Sequence, residues 1–175
     1  MPTAAKPRKP RAALANKEKQ HQPGRIWTDL TTIHQTCLSQ LQSATTTAPI
    51  LKDPVFQQHA VELPRMVTLA QAIAQAIPAY LDLLKVIKQN ADSHRAEWDE
   101  LDKQRKAAWS VDDRETAIEF RKQQDNVEFM TIQVGEQYHH WNTEWNGRVN
   151  PLLLELLSLI EKTRAEMEKN ANAAE

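Results

Sequence analysis

The chain has 175 residues and a formal net charge of −1. With only three glycines and one cysteine, it lacks the glycine-rich turns of all-β and Rossmann-type folds and can form no intrachain disulfide. A single cysteine fits a reducing compartment, so we expect a cytoplasmic protein. The small net charge hides a split. Residues 1–25 hold seven bases and one acid, for +6, while the other 150 residues hold 15 bases and 22 acids, for −7.

Residues 1–24 are expected to form a basic, proline-rich arm in front of a single helical domain at 25–175. The arm has four prolines and almost no large apolar side chains. It therefore buries too little surface to offset the entropy of ordering, and we expect it to be disordered when free. Its prolines space the charges of the Lys6–Arg11 stretch, which favours an extended backbone.

Such an arm can follow a phosphate backbone without reading bases, because its contacts are electrostatic. Nucleic acid is one candidate partner, another acidic molecule is a second, and an arm without any partner is the third alternative. The residues expected to make the contacts are the seven bases of the first 25 positions: Lys6, Arg8, Lys9, Arg11, Lys17, Lys19 and Arg25.

The first helix is predicted over Ile26–Ala44, because five apolar side chains recur there at spacings of three and four: Ile26, Leu30, Ile33, Cys37 and Leu41. Asp53 and Pro54 then have the residue types of an N-cap and a first helical position. A short second helix is expected from there to Leu63.

A third helical segment begins at Pro64 and reaches Pro78, which either kinks or ends it. Its low-charge stretch, Met66–Leu81, has 16 residues without a charge, fewer than the ~20 that span a bilayer. Glutamines, a threonine and a proline interrupt the stretch. We expect it to be a core helix with no membrane association.

Two long heptad seams follow, one over Tyr80–Ala108 and one over Ala117–Trp145, each with positions alternating three and four residues apart. A short link with the pattern of a capping box, Ser110–Asp113, separates them. The pattern predicts a long antiparallel coiled-coil-like helical hairpin at about residues 79–146. Of the 41 residues from Lys88 to Glu128, 19 are charged, so the hairpin tip should project into solvent. Pairing of the same seams between two copies, in a homodimer, stays an alternative.

The last helix is predicted from Asn150 and Pro151, as N-cap and first helical residue, to about residue 169, with Val149 placed to staple against Leu154. Seven of the nine residues from Leu152 to Ile160 are Leu or Ile. The apolar surface of this helix is therefore wider than one core face. The helix therefore either lies centrally or covers a protein partner. With two tryptophans near helix ends, it forms the predicted protein-partner interface: Leu152, Leu153, Leu156, Leu157, Ile160, Trp109 and Trp145.

The motifs indicate no catalytic, cofactor or metal site. Glu136 and His139 match the E-x-x-H spacing of di-iron helical bundles, but such a site needs a second copy of the motif, which the chain lacks. His94 and Cys37 lie on packing faces, where we expect an interface residue and a core residue. We accordingly expect no catalytic residue, no cofactor and no metal, in a protein that is not an enzyme.

The sequence thus predicts an all-α helical bundle with a long hairpin and a Leu-rich C-terminal helix. The expected function is that of a non-enzymatic subunit or adaptor of a larger assembly that contains nucleic acid, with protein partners bound by the helical surfaces. One alternative is a small inhibitor or regulator, for example from a mobile element, whose acidic body sequesters a protein partner. A second alternative is a carboxylate/His metalloprotein that rests on Glu136 and His139.

Overall fold

The computed structural model describes residues 23–47 and 49–173, and within those ranges it contains five α-helices, one short 3₁₀ turn and no strand. In chain order, the elements are α1 (Pro23–Thr45), the 3₁₀ turn (Ile50–Lys52), α2 (Pro54–His59), α3 (Leu63–Ser110), α4 (Arg114–Arg148) and α5 (Asn150–Asn172). The predicted all-α fold class is therefore confirmed. α1 includes Pro23 and Gly24, two residues that were expected to belong to the basic arm. Residues 1–22 lie outside the described residues.

α3 has 48 residues, which makes it a rod of about 72 Å against which the other helices pack. Four interhelical contacts follow this rod in reverse chain order: Asp102 with Gln124, Trp98 with Glu128, Tyr80 with Trp141, and Arg65 with Glu155. The partner's number rises as the number in α3 falls, so α4 and then α5 run antiparallel to α3. The hairpin is longer than the predicted 79–146, because its first arm begins at Leu63 and its second arm continues through α5.

The two heptad seams meet inside the single chain. Every predicted seam position in Tyr80–Ala108 and Ala117–Trp145 is buried or half-buried. Spacings of three and four keep one helical face turned toward a neighbouring helix. The predicted intramolecular hairpin is confirmed.

α4 and α5 are almost one helix. Val149, between them, has α-region backbone angles; its N–H donates to the carbonyl of Trp145 at 2.9 Å, and its carbonyl accepts from Leu153 at 3.0 Å. Because the hydrogen-bond ladder runs through the junction, Asn150 is already helical and is not an N-cap. The predicted staple is also wrong, since Val149 is buried whereas Leu154 is 59% exposed.

The link at the hairpin tip is the three-residue turn Val111–Asp113. Ser110 is the last residue of α3 and does not cap the next helix. Asp113 is the cap of α4, and its carboxylate accepts from the backbone N–H of Thr116 at 3.2 Å. Asp112 has a φ of 57°, and this left-handed conformation closes the turn in so few residues.

Two prolines mark α3. Pro64 lies in its first turn, where a backbone N–H has no helical acceptor, and α2 ends at His59, short of the predicted Leu63. Pro78 lies inside the helix on its solvent side. It removes one helical hydrogen bond, and its ring crowds the preceding turn. Proline disfavours the interior of a helix, so the packing of the flanking turns must stabilise α3 at Pro78.

Replacing Pro78 with alanine should raise the free energy of unfolding by about 1–3 kcal/mol, because it restores a helical N–H and removes the ring clash. Urea unfolding followed by circular dichroism measures the change. Pro64→Ala is the matched control, since that position lacks a helical hydrogen bond in either form, and it should shift stability by less than about 1 kcal/mol. Equal effects of the two substitutions would contradict this interpretation.

Three aromatic rings join α3 to α4 near the middle of the rod. Trp141 and Trp145 stack with their centroids 5.4 Å apart, and Tyr80 packs edge-on against both rings, at 5.8 and 5.4 Å. The indole N–H of Trp141 donates to the carbonyl of Tyr80 at 2.8 Å. Both indoles are thus buried, and the polar edge of Trp141 keeps a partner.

Trp141→Phe should destabilise the protein by about 1 kcal/mol more than Trp145→Phe, because only the first substitution also removes the hydrogen bond to Tyr80. The two substitutions remove similar buried ring area from the same stack. Guanidinium unfolding of both variants compares them. Equal losses would mean that packing alone holds the cluster.

Candidate functional site

The hairpin has two flanks, and α1 covers one of them. Leu30 of α1 lies 3.8 Å from the point where a Cβ on Gly135 would sit, so the two helices approach closely at this glycine. Further along, Nδ1 of His34 lies 3.2 Å from the hydroxyl of Tyr138. Cys37 is buried in this interface, and burial raises the pKa of its thiol to about 11. The thiol is therefore protonated at neutral pH, and the prediction of a core cysteine is confirmed.

A cleft of about 410 Å³ lies between the start of α1 and the middle of α3. It is lined by two indoles, threonine hydroxyls and two charged side chains, including Trp27, Thr31, Thr32, Arg95, Trp98 and Asp99. The indole N–H of Trp98 donates across the hairpin to Glu128 at 3.3 Å. The sequence patterns did not reveal this cleft, because Trp27 and Trp98 belong to different helices and are 71 positions apart.

The flank opposite α1 contains an open groove of about 560 Å³. α3 contributes Leu83 and Val86, both exposed, above the buried Ile87. α4 contributes a polar wall formed by Gln133, Glu136, Gln137 and His140. The groove therefore has one apolar wall and one polar wall along the rod.

The predicted protein-partner interface on the last helix is divided by the fold. Three of its residues are buried in the core: Leu153, Leu156 and Ile160. They are not available for docking, because α5 continues the second arm of the hairpin and lays this face on α3. Leu152 is half-buried and Leu157 is exposed. Leu154 is the most exposed leucine of the helix, and the prediction missed it.

The tryptophans separate in the same way. Trp109 is 49% exposed at the hairpin tip, as predicted, whereas Trp145 is only 1% exposed. The expectation that Trp145 is accessible is wrong, because the chain continues past it into α5 and the ring stacks on Trp141. Phe129, which is 62% exposed, and Ile132 one turn later form an apolar pair on α4 that the heptad pattern did not single out.

Six of the seven bases expected to bind an acidic partner lie outside the described residues: Lys6, Arg8, Lys9, Arg11, Lys17 and Lys19. The seventh, Arg25, is the third residue of α1. The described chain begins at Pro23, about one helical turn before Trp27.

Glu136 and His139 do not converge on one site. Glu136 lines the open groove, whereas His139 lines the crevice between α1 and α4 on the other flank. Within residues 23–47 and 49–173, no three His, Cys, Asp or Glu side chains are grouped so that they could hold a metal ion. The E-x-x-H pair therefore lacks, among the described residues, the further ligands that a di-iron site would need.

Among the described residues, α3 is the one helix whose length and composition would allow it to cross a membrane. Only 11% of its apolar window is buried in the fold. Met66, Leu69 and Ile73 pack into the core, while Val67 is exposed. The expectation of a core helix therefore holds for one face of this segment, and its other face is open.

The distal hairpin, residues 101–127, is separate from the main core, which ends near Trp98 and Val134. Its seam combines apolar residues such as Leu101 and Val127 with polar ones, since Gln124 is fully buried and the carboxylate of Asp102 accepts from Arg105, Lys106 and Gln124. Two buried atoms there, Oε1 of Gln124 and Nε of Arg105, have no hydrogen-bond partner in the described chain. Unpaired buried polar atoms cost free energy, so this part should open more easily than the rest.

The chain matches no protein-family model, no curated protein and no solved structure.

The backbone amides of the distal hairpin should exchange with solvent faster than those of residues 134–145, and the difference should widen at low pH. Burial acts to raise the pKa of Asp102, but hydrogen bonds from Lys106, Arg105 and Gln124 outweigh it and hold that pKa below its usual value. A carboxylate of this kind stabilises the fold above its unfolded pKa of about 3.9. That contribution is lost as pH falls through the lower, folded pKa.

Hydrogen exchange read by mass spectrometry, expressed as protection factors from about pH 6 to about pH 3, measures this effect. Asp102→Asn should remove the pH-dependent part. Asp125→Asn is the matched control on the same hairpin, because Asp125 is exposed and pairs only with Arg121. Equal protection of the two segments at every pH would contradict the prediction.

Proposed function

We propose that this chain is a non-enzymatic helical adaptor, a subunit of a larger assembly, that attaches to nucleic acid through residues 1–25 and binds a protein along its helical body. The observation that carries the proposal is the division of charge, +6 in residues 1–25 against −7 in the remainder. A phosphate backbone is attracted to the first part and repelled by the second. The two parts therefore suit two different partners.

The open groove supports the protein-binding half of the proposal. Leu83 and Val86 lie three positions apart on α3, so they share one face of the helix and form the apolar wall of the groove. A groove with one apolar and one polar wall matches the amphipathic face of a partner helix. Phe129 on α4 and Trp109 at the tip add exposed aromatic rings, a residue type enriched at protein interfaces.

The basic residues support the nucleic-acid half of the proposal. Lys6, Arg8, Lys9 and Arg11 lie within six positions and are spaced by prolines, which keeps their charges apart along an extended backbone. Contacts of this kind neutralise phosphates and carry no base preference. The acidic surplus of the body argues that the body itself faces away from the phosphates.

Fluorescence anisotropy with a labelled DNA duplex, and with an RNA duplex of the same sequence, tests the attachment. A plot of log K against log salt concentration should have a slope near −6 for the full chain, since each phosphate contact contributes about −0.9. Replacing Lys6, Arg8, Lys9 and Arg11 with alanine leaves three bases and should bring the slope to about −3.

The matched control removes four exposed bases from the body: Lys52, Lys162, Arg164 and Lys169. It changes the net charge equally and should leave the slope near −6. An affinity that is independent of salt, or equal losses in the two variants, would contradict attachment through the N-terminal segment. If the full chain binds no nucleic acid and the arm variant still holds a basic protein, the inhibitor alternative is favoured.

A further inference from the structure

We propose that the cleft between α1 and α3 receives the Lys6–Arg11 stretch of the same chain. This inference does not rest on nucleic-acid binding, since it concerns contacts within one molecule. It does have a consequence for that function, because a stretch held in the cleft is withheld from phosphates.

The hydroxyl groups of the cleft are set up as acceptors. Thr31 donates its proton to the carbonyl of Trp27 at 2.8 Å, and Thr32 donates to that of Thr28 at 3.0 Å. Each hydroxyl oxygen therefore presents lone pairs to a ligand. Together with the carboxylate of Asp99, these oxygens favour a ligand that brings N–H donors and positive charge.

The two indole rings that line the cleft favour the same ligand. Trp27 and Trp98 both line it, and indole faces attract guanidinium and ammonium groups through their ring quadrupole. Grooves lined by aromatic rings also receive proline-containing extended segments, whose rings pack on the indoles. The cleft therefore matches an extended segment that alternates proline with arginine or lysine.

Arg95 is the cation among the described lining residues. Its guanidinium group would donate hydrogen bonds to backbone carbonyl oxygens of the ligand. An extended polyproline-type segment has carbonyl oxygens without internal hydrogen bonds. A guanidinium group can donate to several such oxygens at once. Among the described lining residues, a free phosphate would meet one cation, Arg95, and would be opposed by Asp99, so these residues favour the basic peptide over the anion.

The chain contains one stretch with this composition. Lys6-Pro7-Arg8-Lys9-Pro10-Arg11 has the P-x-x-P spacing together with four bases. It is joined to the fold at Pro23, about one helical turn before Trp27. The eleven residues between Arg11 and Pro23 can span roughly 40 Å, so the stretch can turn back into the cleft.

Because the stretch is covalently joined to the fold, weak contacts are sufficient to keep it in the cleft. A short flexible linker holds its ligand at an effective concentration of about 1 mM. A segment that would bind the cleft in isolation with a Kd of about 0.1 mM would then be docked in roughly nine molecules of ten. The separate peptide, at micromolar concentration, would leave the cleft mostly empty.

Paramagnetic relaxation in the full chain tests the proposal. A nitroxide is attached at Thr3→Cys, and the tryptophan indoles are labelled with nitrogen-15. Cys37 is 1% exposed and its pKa is raised to about 11, so it should not react with the label. The indole signals of Trp27 and Trp98 should lose most of their intensity, while that of Trp145 is retained.

Asp99→Lys in the labelled chain should restore most of the lost signal intensity of Trp98, because the introduced positive charge repels the bases of the Lys6–Arg11 stretch. Pro7→Ala together with Pro10→Ala should do the same while leaving the cleft unchanged. Asp82→Lys is the matched control, since it makes the same charge change on α3 about 25 Å from Asp99, and the broadening should persist in it. Unchanged signals of Trp141 and Trp145 show that each variant is folded.

Equal broadening of Trp98 in all four proteins would overturn the proposal, because it would reflect only the nearness of the attachment point. Absence of broadening in the unsubstituted chain would also overturn it. A mixture of nitrogen-15-labelled chain and nitroxide-labelled chain distinguishes the source of the segment. Broadening in that mixture would show exchange between two copies and would contradict docking within one chain.

Discussion

Tyr80 and the stacked pair Trp141 and Trp145 hold α3 and α4 in a single antiparallel register, and the rest of the rod is built on it. In this register, α4 ends while the first 15 or so residues of α3 are still uncovered. The helical hydrogen bonds continue through Val149, so α5 starts in place to cover them. Leu153, Leu156 and Ile160 of α5 are buried for this reason. α1 covers the other side, where Leu30 packs over Gly135.

The rod has a large apolar core in its first half and a thinner seam with some buried polar residues in its second. Around the aromatic cluster, the buried side chains are large and apolar, and α1 adds a third layer. Beyond Trp98, α3 and α4 pack on each other without a third helix among the described residues, and the seam contains Leu101, Val127 and small alanines together with Gln124 and Thr131. A two-helix contact with polar seam residues buries less apolar surface per turn than a three-helix core, which lowers the free energy of local opening. The register is nonetheless defined there, because Asp102 and Gln124 are hydrogen-bond partners only when correctly aligned.

Charge and shape divide the molecule in a related way. The bases that could neutralise phosphates are concentrated before α1, while the helical body has more acids than bases. The boundary between the two parts lies beside the cleft of Trp27 and Trp98. We propose both contacts for the same six residues, one with an external partner and one with the cleft, and the balance of the two affinities would decide which contact is populated.

The sequence by itself determined which faces of the long helices are buried, because a three-four spacing specifies a face without any knowledge of the partner. Seam positions from Leu84 to Trp141 were predictable for this reason, as was the N-terminal concentration of charge. Exposure at helix ends was not predictable. Trp145, Leu153, Leu156 and Ile160 were assigned to a partner interface because nothing in their own spacing indicates that α5 continues the rod. Only the tertiary structure decided that Glu136 and His139 open onto different flanks and that Trp27 and Trp98 share a cleft. Such placements depend on the register and approach of whole helices, which is set by the summed packing of side chains distant in the chain.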